Sequence, residues 1–207
     1  MLVKLTFALI GAFYLMLPWA PASRAETHQA ADVIGTYSGL AVDLGMGVSI
    51  GTSSMCGNLQ PAKAPFTIQV TGSTPDQEIQ KYAQIAKTDG QEALLRAVRP
   101  ANLGSILFNN QTRVINLVRE TRDDSGRRII CVFARLLDSS EAMCGADAKD
   151  YLLGYLELVL GNSGKKDGTL FVNASIRFDP DKPNAIGVAD YGTYPARVLN
   201  LEVQGTP

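Results

Sequence analysis

Seven stretches between Ser105 and Gln204 are built alike, and short polar turns join several of them. Ser105–Phe108, Arg113–Thr121, Arg127–Leu137, Tyr151–Leu160, Thr169–Phe178, Ile186–Tyr191 and Arg197–Gln204 are each rich in β-branched, aromatic and leucine residues. Asp123-Asp124-Ser125-Gly126 separates two of these stretches, and Gly161-Asn162-Ser163-Gly164 through Asp167-Gly168 separates two more. Turns this short connect only antiparallel neighbours, because a parallel pair needs a crossover of about a dozen residues or more. Phe66-Thr67-Ile68-Gln69-Val70 adds a strand with the period of a half-buried sheet. Val33–Gly51, with five glycines among β-branched and aromatic residues, reads as two further strands with bulges or tight turns. Up to about ten strands in one chain would leave exposed edges, so a closed or nearly closed barrel is expected.

One region breaks the pattern. Thr74 is placed to cap a helix, Pro75 suits its first position, and Gln77 would complete a T-x-x-Q capping box. Ile79, Tyr82, Ala83 and Ala86 fall on one helical face. Asp89-Gly90 ends that helix and begins a second, whose apolar face is Ala93, Leu94, Ala97 and Val98, and Pro100 stops it. The expected fold is therefore α+β and mostly antiparallel β. It is a barrel or strongly curved sheet with one short αα insertion at about 74–99. Along Thr169–Phe178, Leu170, Val172, Ala174, Ile176 and Phe178 should share the core face; Thr169, Phe171, Asn173, Ser175 and Arg177 point the other way.

The amino terminus has the parts of a cleavable secretory signal at 1–25. Lys4 supplies the positive charge, Leu5–Leu17 the apolar run, Pro18 and Pro21 a break, and Ser23-Arg24-Ala25 the small residues at a cleavage site. The run stops short of the roughly 20 apolar residues that a membrane-spanning helix needs, and no later stretch reaches that length. The expectation is a periplasmic or secreted protein, a single β-rich domain over 26–207. Loss of Lys4 and Arg24 leaves 17 basic against 20 acidic residues, a net charge of −3, which argues against nucleic acid as a partner. Cys131, in Ile129-Ile130-Cys131-Val132-Phe133, reads as a buried free thiol; Cys56 and Cys144, both in loop-like sequence, are the favoured disulfide.

Several chemistries lack their parts. Gly47-Val48-Ser49-Ile50-Gly51 spells G-x-S-x-G, but no histidine follows it and no helix signal comes next. The same glycines miss the spacing and the β-α-β setting of a dinucleotide fold. The cysteines fit no zinc pattern, Asp179-Pro180-Asp181 lacks the ligand spacing of a calcium loop, and no cofactor is implied. Carboxylates remain: Glu141, Asp147, Asp150, Glu157 and Asp190 lie in or beside the C-terminal strands, where a pair could act as acid and base. Cleavage after Ala25 would place His28 third in Glu26-Thr27-His28. There, amine, amides and imidazole could hold Cu(II) or Ni(II), although a solvated histidine is the plainer reading.

Tyr151, Tyr155, Arg177, Tyr191, Tyr194 and Arg197 form the second lead, because aromatic walls with a few polar groups build small-molecule pockets. The plainer alternative is that these tyrosines cap the core and bond their hydroxyls locally.

Asp124-Ser125-Gly126-Arg127-Arg128-Ile129, Asp150-Tyr151 leading to Glu157-Leu158, and Tyr191-Gly192-Thr193-Tyr194-Pro195-Ala196-Arg197-Val198-Leu199-Asn200 resemble landmarks of an uncharacterised family of exported bacterial proteins. The likeness runs from Phe66 to Val203 and includes the Ser73-Thr74 helix start. It implies export and carries no activity, ligand or catalytic residue. The segments with Cys56 and Cys144 stand outside it. The expected function is a non-enzymatic exported domain that binds a small apolar or aromatic molecule or an envelope protein. The alternatives are a carboxylate-based hydrolase and a structural envelope component.

Overall fold

The computed structural model describes residues 34–43, 63–108, 110–124, 126–136, 151–179, 185–192 and 195–204. The expected signal at 1–25, His28, Cys56, Cys144 and Tyr194 lie outside these residues. So do Ser49, Glu141, Asp147, Asp150 and the second strand expected in the glycine-rich stretch.

The chain runs β1 (Gly35–Asp43), β2 (Lys63–Val70), α1 (Asp76–Thr88), α2 (Gly90–Val98), β3 (Gly104–Phe108), β4 (Gln111–Asp123), β5 (Gly126–Ala134), β6 (Leu153–Gly161), β7 (Lys166–Phe178), β8 (Ile186–Tyr191) and β9 (Ala196–Gln204). All strand pairs are antiparallel, as the short turns require. The sheet order is β6-β5-β4-β3-β2-β1-β9-β7-β8, and β6 also pairs with β7. That last pairing closes eight strands into an up-and-down barrel, leaving β8 outside as a flap on β7. Closure removes the edges that an open sheet of this size would present. Among the described residues, no helix is long and apolar enough to cross a membrane.

Alternation along the strands divides the apolar residues into two cores. Tyr37, Phe66, Ile68, Ile106, Ile115, Ile129, Cys131, Phe133, Leu156, Leu158 and Val198 fill the barrel. Phe133 lies flat against Gly154, where a Cβ would stand 2.1 Å from the ring, so only glycine fits that wall position. The second core lies outside the wall. Ile79 and Tyr82 of α1 and Leu94 and Val98 of α2 pack there on Leu117, Ile130, Val132, Leu153, Tyr155, Ala174 and Ile176. Each such aliphatic side chain, fully buried, contributes about 1.5–3 kcal/mol.

Two bulges let a strand serve both cores. In β4, Ile115 pairs with Phe133 and Leu117 with Val132, so the extra residue turns Leu117 outward while Ile115 and Val118 face the barrel. In β7, Leu153 pairs with Ala174 and Tyr155 with Phe171. Leu170 and Val172 therefore face the barrel, and Ala174, Ile176 and Phe178 face the helices. The single core face expected along β7 is thus two faces, joined at a bulge that simple alternation does not reveal.

The helical insertion begins differently from its sequence signature. α1 starts at Asp76 after Pro75, with no side-chain cap. Thr74 pairs instead with β4: its amide donates to the Val118 carbonyl at 2.8 Å, and its hydroxyl accepts from the Val118 amide at 3.0 Å. β3 is short, so this part of the β4 edge needs a partner, and Thr74 fills that role at the expense of the capping box. Asn116 anchors the other end of the insertion, donating to the carbonyls of Arg99 and Ala101.

Candidate functional site

The chain runs back along β7 after its C-terminal end, but with an interruption. β8 pairs with the C-terminal half of β7 (Ala174 opposite Tyr191), and β9 with the N-terminal half (Leu170 opposite Ala196). The backbone leaves β7 between the two. Gly192 stands at the start of this break, where a Cβ would come within 2.7 Å of the Tyr151 ring and 3.3 Å of Asn173 Oδ1, so the position favours glycine.

Around the break, outward positions of three strands fall in rows. Glu157 of β6 pairs with Thr169 of β7, and Thr169 pairs with Arg197 of β9. Val159 and Asp167 form the next pair along β6 and β7. With Pro195 these residues line a surface groove of about 310 Å³. One step along β7 the row turns aromatic. Tyr155 and Phe171 meet edge to face at 5.9 Å between ring centres, and Phe171 and Tyr191 are tilted at 5.4 Å.

The charges of the groove are mostly engaged. Glu157 Oε1 pairs with Arg128 Nε at 3.2 Å, and Glu157 Oε2 accepts from the Tyr155 hydroxyl at 3.0 Å. Asp167 pairs with Lys165 at 2.7 Å. Arg197, exposed above Thr169, has no hydrogen bond or ion pair to any described residue.

The expected site residues thus do not share one cavity. Tyr155 is 2% exposed, and its hydroxyl bonds Glu157 and the Ile186 carbonyl, so it forms the floor between wall and flap. Burial, reinforced by Glu157, pushes its ionisation well above the ordinary phenol range. Tyr151 donates to Asp190 at 2.8 Å, and Tyr191 is exposed. Tyr151, Tyr155, Tyr191 and Arg197 therefore gather about the break. Arg177 does not: it lies eight residues from Thr169 on β7, about 26 Å along an extended strand. It borders a different groove, of about 460 Å³, beside α1. Phe171, Thr169 and Asp167 complete the site and were not among the expected residues. Their signal was available, since Thr169 and Phe171 share the face opposite Leu170 and Val172.

A second charged cluster lies at the end of the barrel beside the β4–β5 hairpin. Glu120 Oε1 accepts from Arg122 Nε at 2.7 Å and faces Arg127 Nε at 2.8 Å, while Arg127 also donates to the Tyr37 hydroxyl at 3.4 Å. Burial raises the Tyr37 ionisation, and the neighbouring Arg127 lowers it in part. Cys131 lies deeper, fully buried and free, its thiol pushed up to about 12 by burial. The described residues contain no group of three or more side chains suited to hold a metal ion.

No protein-family model, curated protein or solved structure matches this chain.

Proposed function

We propose that the chain is an exported, non-enzymatic domain that binds a small molecule on the outside of its barrel, in the groove at the β8–β9 break. The observation that carries this reading is Arg197, an exposed guanidinium without a partner among the described residues, standing over Thr169 beside a run of three aromatic rings. The barrel itself is filled by large side chains, which moves any ligand to the wall. Binding fits better than hydrolysis because both carboxylates in the groove already hold partners. Glu157 is engaged at each oxygen, and a general base needs an oxygen facing the reacting group.

Export rests on the amino-terminal signal and the resemblance to exported bacterial proteins. It would place the protein in the periplasm or outside the cell, with an oxidising setting for its cysteines. The β1–β2 and β5–β6 connections, which carry Cys56 and Cys144, join strands at the same end of the barrel. That supports a disulfide between them, with Cys131 as the odd thiol.

The groove is tested by screening a fragment library for thermal stabilisation against the wild type and Thr169→Trp, whose indole would fill the groove. Hits should stabilise the wild type and lose that effect in the variant. Hits that stabilise both equally would place binding elsewhere and remove the proposal.

A further inference from the structure

The same groove narrows the chemistry of what it can hold. Among the described residues, Arg128 neutralises Glu157 and Lys165 neutralises Asp167, so Arg197 leaves one uncompensated positive charge. A guanidinium presents a planar fork that matches a carboxylate in two parallel hydrogen bonds. One carboxylate balances that single charge, whereas a phosphate dianion would bring a second negative charge with no cation of the groove left to meet it.

Apolar surface lies one step away. Phe171 follows Thr169 by two residues on the same face, about 7 Å along the strand. Tyr191, 41% exposed, tilts over Phe171, and Pro195 precedes Arg197 by two residues at the groove wall. A volume of about 310 Å³ is at the small end of ligand pockets and suits a single ring.

We infer that the ligand is a single-ring aromatic monocarboxylate. Its carboxylate sits on the Arg197 guanidinium and the Thr169 hydroxyl, and its ring lies against Pro195 and the Phe171–Tyr191 pair. This rests on the groove being a binding site, and the test separates the two ideas.

Calorimetric titration of the purified protein with phenylacetate, its neutral isostere phenylacetamide, hexanoate and phenylphosphonate reads each element in turn. Phenylacetate should bind most tightly. Arg197→Gln should weaken it by about 10- to 100-fold, the scale of a lost charge-assisted hydrogen bond. Arg197→Lys should retain part of the affinity, since it keeps the charge and loses the fork; circular dichroism checks that each variant is folded. Equal binding of phenylacetate and phenylacetamide, both abolished by Thr169→Trp, would overturn the carboxylate and leave the groove standing. Hexanoate binding as tightly as phenylacetate would overturn the ring. Binding that survives Thr169→Trp, or no binding of any probe or library fragment in the groove, would remove both ideas together.

Discussion

Arginine meets carboxylate on both sides of the barrel wall, and the two meetings are arranged differently. At the barrel end, one carboxylate, Glu120, serves two arginines, Arg122 and Arg127, and its side chain is only 13% exposed. On the outer wall each carboxylate has its own cation, Glu157 with Arg128 and Asp167 with Lys165, and Arg197 is left over in the open. The inner cluster shields charge where the barrel would otherwise expose its apolar filling. The outer row has little shielding and keeps a guanidinium clear of every described partner. Charge that is shared and sheltered stabilises a fold, whereas exposed and unshared charge is available to a ligand. Substitutions on the two sides should therefore separate stability from binding.

The interior should show the largest effect, at alkaline pH. Burial raises the Cys131 thiol from 9.0 to about 12. A raised folded-state value means that the unfolded chain releases the proton first. The stabilisation is complete below about pH 9 and is lost as pH climbs toward 12. The slope is about 1.4 kcal/mol per pH unit, or about 4 kcal/mol across the window. Urea unfolding of the wild type and Cys131→Ala at successive pH values measures it, and the variant should lose less stability over that range. Equal slopes would mean that the thiol ionises without opening the barrel.

Glu120→Ala comes next. It would remove the carboxylate that Arg122 and Arg127 share, and about 2 kcal/mol of stability should be lost, less than for a fully buried pair because Arg122 is half exposed. Glu120→Gln, which keeps an acceptor, should lose less. Both are read from denaturant midpoints. A loss below about 1 kcal/mol for the alanine variant would place the cluster with ordinary surface pairs.

These two sites also show what the sequence could and could not reveal. Cys131 was legible as a buried thiol because its neighbours Ile129, Ile130, Val132 and Phe133 are all apolar. The nine described strands and both helices follow from alternation, turn residues and the Asp89-Gly90 break, which are local signals. The Glu120 cluster depends on register. The hairpin at Asp123–Gly126 sets Arg122 opposite Arg127, but only the β4 bulge near Asn116 turns Glu120 toward the barrel. A bulge inserts one residue without a distinctive composition, so it hides from periodicity. The groove divides the same way. Tyr151, Tyr155, Tyr191 and Arg197 gather because β7 is long enough for both β8 and β9 to pair with it in succession. Arg177, on the same strand, is carried to the far groove. Thr74 shows a nonlocal contact overriding a local one, since its capping motif was intact and the open edge of β4 took the side chain instead.

The contact beneath the β8 flap should show a moderate effect. Tyr155→Phe removes a hydroxyl whose one proton is shared between Glu157 Oε2 and the Ile186 carbonyl, so a buried contact between wall and flap loses its donor. A loss of about 1–2 kcal/mol is expected. It should come with a loosened β8, seen as faster amide exchange at Ile186 and Val188. Unchanged exchange there would show that the flap is held by its ladder to β7 alone.

Arg197→Ala should have the smallest effect on stability and is the sharpest test of the comparison. The side chain is exposed and touches no described partner, so its loss should move the unfolding free energy by less than about 0.5 kcal/mol. Glu120→Ala should leave ligand titrations unchanged in the folded protein, because that cluster lies at the barrel end and the groove lies on the wall. The two substitutions should thus give opposite results, one lowering stability and sparing binding, the other sparing stability and weakening binding. If Arg197→Ala also destabilised the barrel, the guanidinium would be holding the β8–β9 break in place. Its exposure would then be structural, and the outer row would join the inner one as part of the fold.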